Sequence, residues 1–131
     1  MPLTLPVIWI ARRLSDAILA RAERDYDIIV NHDNIPYNSN DIIAMSGQVD
    51  GMIICHSEHF SAAIVNALDA RLKIVASYSV GTDHFDLPAF AARGIAVTNT
   101  PDVLSDATAE ISLLLMLGAA RRAVEGDRMV R

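Results

Sequence analysis

Directly after a short apolar run stands Ser79-Val80-Gly81-Thr82-Asp83-His84-Phe85-Asp86. A glycine in such a turn allows positive φ and close backbone approach to a ligand. Exposed N–H groups there can hold an anion without any cationic side chain. The same residues also read as a plain strand-to-helix turn with Asp86 as helix cap. A second stretch, Thr98 to Glu110, leads into the next apolar pattern. Helix N-termini attract negative groups. Asp102, Asp106 and Glu110 already bring negative charge to this one, so simple capping competes with ligand binding.

Other reactive side chains point to less. His56 and His59 are three apart, and no carboxylate pattern completes a metal site around them. No metal is expected. Cys55 lies in an apolar run and reads as core. Glu58 stands between the two histidines and suggests an acid/base pair without a third orienting group. The six glycines are Gly47, Gly51, Gly81, Gly94, Gly118 and Gly126. No two are two apart, so G-x-G-x-x-G is absent, and so is a Walker A loop.

Five short apolar runs position these residues: Val7–Ala11, Ile28–Val30, Met52–Cys55, Ile74–Ala76 and Ile95–Val97. Runs without polar alternation suit a sheet covered on both faces. Amphipathic stretches lie between them. Ser15 can cap a helix ending near Asp25, and Asn40 or Asp41 one stopped at Gly47. Ser61 can start a third, and Leu87–Ala92 gives a fourth ended by Gly94. Asn31 to Asn40 is the longest loop. Strand–helix alternation implies right-handed crossovers and a parallel sheet. The expected fold is α/β: a flavodoxin-like, doubly wound sheet of five parallel strands in the order 2-1-3-4-5.

The last stretch departs from this rhythm. One helix is expected from about Ser105 to Val130, spanning roughly 39 Å, against a body of roughly 36 Å. Its segment Leu113–Ala120 is apolar on every face and needs cover all round. Cover is expected from more chain or from a second copy: the helix should pair with another chain, giving a homodimer through the 105–130 helix, swap domains or be partly disordered. The expected division is a domain over 1–104 and a crossover helix over 105–131.

Composition narrows the classes. The chain has 131 residues, 52% hydrophobic and 21% charged, with net charge −5. One domain of this length can bury roughly two-thirds of its unfolded surface without disulfide staples. The negative charge gives no footprint for nucleic acid or anionic lipid. The single cysteine suits a reducing compartment. Met1–Pro6 shows no basic leader, and no apolar run approaches the 20 or so residues of a membrane span. A cytoplasmic protein is expected.

The run SYSVGTDHFDLPAFAARGIAVTNTPDVLSDATAEISLLLMLGAARR resembles the NAD(P)-dependent D-isomer-specific 2-hydroxyacid dehydrogenases, most of all their glyoxylate/hydroxypyruvate reductase branch. TPDVLSDATAE is its most specific part. The close match covers about Ile74 to Arg131; the earlier residues share only the strand–helix rhythm. The resemblance implies a two-domain enzyme whose flavodoxin-like substrate domain comes first, followed by an inserted Rossmann domain for NAD or NADP. It implies that the loop matching Ser79, Val80 and Gly81 holds the carboxylate of a small 2-keto or 2-hydroxy acid. The position matching Thr108 lies by the nicotinamide.

The family's catalytic arginine, glutamate and histidine have no counterpart here. Arg121, Arg122 and His84 fall in the wrong segments to inherit those roles. The chain therefore reads as the front part of a dehydrogenase, with no catalytic residue of its own, no cofactor expected on it alone, and no turnover alone. The competing reading is a non-catalytic, flavodoxin-like dimerising or interaction module.

Overall fold

The computed structural model describes residues 4–131. The leader reading at Met1–Pro6 rests in part on residues 1–3, which lie outside the described ones. The chain divides into two compact units, residues 1–101 and residues 102–131.

In the first unit, strands and helices alternate: β1 Val7–Ile10, α1 Asp16–Asp25, β2 Asp27–Val30, α2 Ser39–Ser46, β3 Gly51–Ile54, α3 Ala62–Ala67, β4 Ile74–Ser77, α4 Leu87–Arg93 and β5 Ala96–Thr98. The sheet is parallel throughout, in the order β2-β1-β3-β4-β5. This is the expected doubly wound arrangement. The order reverses between β1 and β3, so their carboxyl ends border the crevice where ligands bind in open α/β sheets.

Register explains the core. Trp9, Met52, Val75 and Val97 stand side by side on four neighbouring strands. The first three are buried and Val97 packs against them, below Ile42, Val65 and Phe90 from the helices. Phe60, Phe85 and Phe90 add an aromatic cluster with ring centroids 5.5–5.6 Å apart. The opposite row, Ile8, Gly51, Ile74 and Ala96, belongs to the other face. There the expectation of full cover fails. Ile8, Ile53, Ile74 and Ala76 line a cavity of about 1030 Å³, bordered by Ala22 of α1 and by Tyr26 just past its end. Its charged rim is partly neutralised by the Arg71–Asp50 ion pair.

The helix ends mostly follow local chemistry. Ser61 and Asp86 cap α3 and α4 through their side chains. Gly94 closes α4 in the left-handed conformation that glycine adopts without a Cβ clash. The cap of α2 is Asn38, not Asn40 or Asp41. Asn38 accepts from the N–H groups of both those residues, and Asp41 reaches back to its N–H. Ser15 stands at the cap position of α1 without a side-chain bond.

The second unit corrects the single long helix. It holds α5, Ser105–Ala120, and α6, Ala123–Val130. Arg122 adopts φ 51°, its N–H tightens onto the Ala119 carbonyl, and its own carbonyl starts α6 by accepting from Gly126. The Arg122 guanidinium pairs with Glu125 across that first turn. No glycine marks the break, because Gly118 lies inside α5. No side chain caps α5, so the carboxylates near its start do not act as caps. Leu113 through Leu117 are each 60–67% exposed. No helix among the described residues is long and apolar enough to cross a membrane.

Candidate functional site

The carboxyl edge of the sheet is built from two adjoining loops. The first follows β3. Glu58 is only 2% exposed, and a carboxylate so placed needs partners. One Glu58 oxygen receives Arg12 Nη2 at 2.6 Å and the Ser57 hydroxyl at 3.1 Å. The other accepts the Cys55 N–H at 3.0 Å. Arg12 also donates to Ser57 Oγ at 2.7 Å. Glu58 is thus the anchor of the loop and not the acid/base partner of His56 or His59. Cys55, expected in the core, lies one residue past β3 and is half-buried, with its sulfur 3.1 Å from Ser57 Oγ.

The second loop follows β4 and is tied to the end of β3: the Tyr78 N–H donates to the Ile54 carbonyl at 2.7 Å. It carries Ser79, Val80 and Gly81, and all three of their carbonyls are turned back into the protein. The Ser79 carbonyl accepts from Thr100 N–H at 3.0 Å. The Val80 carbonyl accepts from Asn99 Nδ2 at 2.8 Å. The Gly81 carbonyl accepts from the Ser79 hydroxyl at 3.0 Å. In a trans peptide the N–H points opposite the C=O. Among the described residues, the N–H groups of Ser79, Val80, Gly81 and Thr82 donate to no protein acceptor. Unpaired donors on a loop whose carbonyls are tied elsewhere are able to hold an anion without a cationic side chain.

Gly81 serves this loop differently from the expectation. Its φ is not positive, as Gly94 is the glycine with that conformation. A Cβ at Gly81 would meet nothing nearer than an Asp83 carboxylate oxygen at 3.9 Å. Glycine here leaves open room and relieves no strain.

His84 sits behind the loop, 6% exposed, with Nε2 3.0 Å from Ser77 Oγ. Burial first, then the nearby His59 and His56, hold its imidazole below the ordinary 6.5, while Asp83 and Glu58 oppose this. The unfolded chain therefore takes up a proton here at higher pH than the folded one. The stabilising effect is full above pH 6.5. It declines as pH falls below 6.5, until the folded imidazole titrates in turn. The slope from one such group is at most about 1.4 kcal/mol per pH unit. Urea midpoints measured from pH 7.5 down to about 5 should fall less steeply in His84→Gln than in the parent; equal slopes would contradict the assignment. Asp50 acts lower on the scale. Arg71 and the Val7 N–H hold its carboxyl below 3.8, so its contribution is present above 3.8 and lost in stronger acid.

The structure thus brings Ser79, Val80 and Gly81 together with Asn99 and Thr100, which the sequence reading did not assign to the site. Thr108 belongs to the other unit, on the first turn of α5, exposed, its N–H bonded to the Leu104 carbonyl at 2.9 Å. His56 and His59 are exposed, and no group of three or more His, Cys, Asp or Glu is arranged for a metal among the described residues. A cavity of about 510 Å³ beside the site is lined by His59, Ser61, Asp83, His84 and Asp86, among others. Among the described residues no pair of glycines opens a helix after a strand, the arrangement that seats a dinucleotide pyrophosphate in a Rossmann domain.

Comparison with known proteins bears on the site. The family model described as D-isomer specific 2-hydroxyacid dehydrogenase, catalytic domain, matches residues 8–125. Glycerate dehydrogenase of Hyphomicrobium methylovorum is 40% identical over 124 residues, which are 95% of this chain and 38% of that protein. Glyoxylate reductase of Pyrococcus horikoshii is 35% identical over 126 residues, 96% of this chain and 37% of that protein. The crystal structure of a putative D-isomer specific, NAD-binding 2-hydroxyacid dehydrogenase from Polaromonas sp. JS6 66 superposes with a TM-score of 0.79 at 38% identity, covering 97% of this chain and 40% of that one. The chain spans about two-fifths of the length of each.

Proposed function

This chain belongs to the D-isomer-specific 2-hydroxyacid dehydrogenase family, and on that premise we propose that it is the acid-binding front part of a cytoplasmic NAD(P)-dependent enzyme reducing a small 2-keto acid, glyoxylate or hydroxypyruvate in type, to the D-2-hydroxy acid. The observation that carries this reading is the loop after β4, with its carbonyls tied inward and its N–H groups unpaired. Ser79, Val80 and Gly81 hold the substrate carboxylate. Thr108 lies along the nicotinamide. The cofactor, when bound to the whole protein, supplies the hydride; this chain contributes binding and orientation and no proton donor to the C2 oxygen. Alone it is inactive.

A second reading has its own support. The exposed row Leu113–Leu117 asks for cover, which a second copy provides, whether the chain is a dimeric enzyme's front part or a non-catalytic dimerising module. One set of measurements separates these. The 131-residue chain, titrated with glyoxylate, should show amide shifts at Val80, Gly81 and Thr82, with turnover by NADH or NADPH staying far below about 1 s⁻¹. Sedimentation should show mass rising with concentration. Dimerisation without any amide shift would favour the module. Turnover at ordinary enzyme rates would overturn the inactivity, and a monomer at high concentration would remove the dimer.

A further inference from the structure

We propose that His84 is a positioning residue for the carboxylate loop: through Ser77 and Ser79 it fixes the Gly81–Thr82 peptide, so that the Thr82 N–H joins the anion cradle as a further donor. The inference rests on the reading of that loop as the acid site.

Counting hydrogens gives the direction. The Gly81 carbonyl can only accept, so the Ser79 hydroxyl donates to it at 3.0 Å. Ser79 has one hydroxyl hydrogen and has used it. In the 2.5 Å contact between the two serines, Ser77 is therefore the donor. Ser77 in turn has no hydrogen left for the ring of His84. The 3.0 Å contact between them requires His84 Nε2 to carry the hydrogen. The result is a one-way relay: His84 Nε2–H to Ser77, Ser77 to Ser79, Ser79 to the Gly81 carbonyl.

Burial shields the inner half of the relay. Ser77 and His84 are 3% and 6% exposed, so water does not compete for either. His84 is itself fixed, because its carbonyl accepts from the Phe60 N–H at 2.8 Å and its ring lies 4.1 Å from that of Phe85. The other two carbonyls of the loop are held by Thr100 and Asn99. Each tie orients the N–H across its own peptide bond: Thr100 sets Val80, Asn99 sets Gly81, and the His84 relay sets Thr82. The Thr82 N–H has no acceptor among the described residues. With the other tautomer, Nδ1–H, the Ser77 hydroxyl would turn to the ring, and the Ser79–Gly81 bond would lose its support.

The test has two arms. Nitrogen-15 spectra of the 131-residue chain near pH 7.5 should show His84 protonated at Nε2, whatever the protein's activity. In the whole protein, His84→Ala and Ser77→Ala should each raise KM for glyoxylate about five- to tenfold with kcat nearly unchanged. His84→Gln, whose side-chain amide can donate from about the same place, should restore most of the loss. Ser77→Ala breaks the relay in the middle and serves if His84→Ala does not fold. An Nδ1–H ring, or folded variants with unaltered KM, would overturn the inference. A parent protein that neither reduces a 2-keto acid nor shows amide shifts with glyoxylate would overturn the acid-site reading, while the ring spectrum still reports on the relay.

Discussion

Under the proposed acid site, Gly81→Val should leave the chain as stable as its parent and abolish most of the whole protein's turnover of 2-keto acids. The structure separates the two effects. Valine's Cβ would enter open space, with an Asp83 oxygen at 3.9 Å as its nearest neighbour, and the backbone φ is not one that demands glycine. Surface substitutions of that kind stay within about 0.5 kcal/mol. A ligand resting on the Val80, Gly81 and Thr82 N–H groups would meet the new methyls directly. Displacing a reactant by about 1 Å can cost on the order of 10²-fold in rate. Urea denaturation and steady-state kinetics on the whole protein measure both sides. Unaltered kcat/KM would move the acid elsewhere; a clear loss of stability would make Gly81 a structural residue.

The second large effect concerns the other loop. Arg12→Ala should destabilise the fold by about 3 kcal/mol, because removing one partner leaves the other charge buried and unpaired. Glu58 keeps the Cys55 N–H and the Ser57 hydroxyl, which places the loss at the lower end of that class. The double variant Arg12→Ala/Glu58→Gln should recover at least half of it, since a neutral amide needs no counter-charge there. Denaturant midpoints of the parent, both single variants and the double variant complete the cycle. Additive losses would show that the pair is not coupled.

Much of this architecture was readable from residue patterns. Five apolar runs, spaced by amphipathic stretches, indicate the parallel sheet, and its order is the one that compact five-unit chains commonly take. Asp86 and Gly94 mark the limits of α4 by local chemistry alone. The break at Arg122 left no such trace. It depends on one residue taking a left-handed conformation in a run without glycine, stabilised by Glu125 three residues on. The open second face of the sheet was also hidden, since an apolar strand reads alike whether or not a helix covers it.

The proposed site could be outlined from the sequence. Ser79–Gly81 could be picked out as a turn beyond a strand, and the family resemblance gave it a ligand. Its supporting groups could not. Asn99 and Thr100 are some twenty residues away in sequence, and only the pairing of β4 with β5 brings them to the loop. Arg12 and Glu58 meet for the same reason across β1 and β3. A faint signal existed for the relay: two serines flank the end of β4, with a histidine seven residues after the first.

The groups left unpaired after β4 are peptide N–H groups, present whatever side chain a codon specifies. Apart from a proline, a bulky replacement at the glycine, or loss of the Ser77, Ser79, His84 and Asn99 side chains that orient the loop, genetic drift has little to erase there. A lineage could therefore retune the other flanking side chains, and with them the length or polarity of the compound accepted, while these donors passed unchanged from ancestor to descendant.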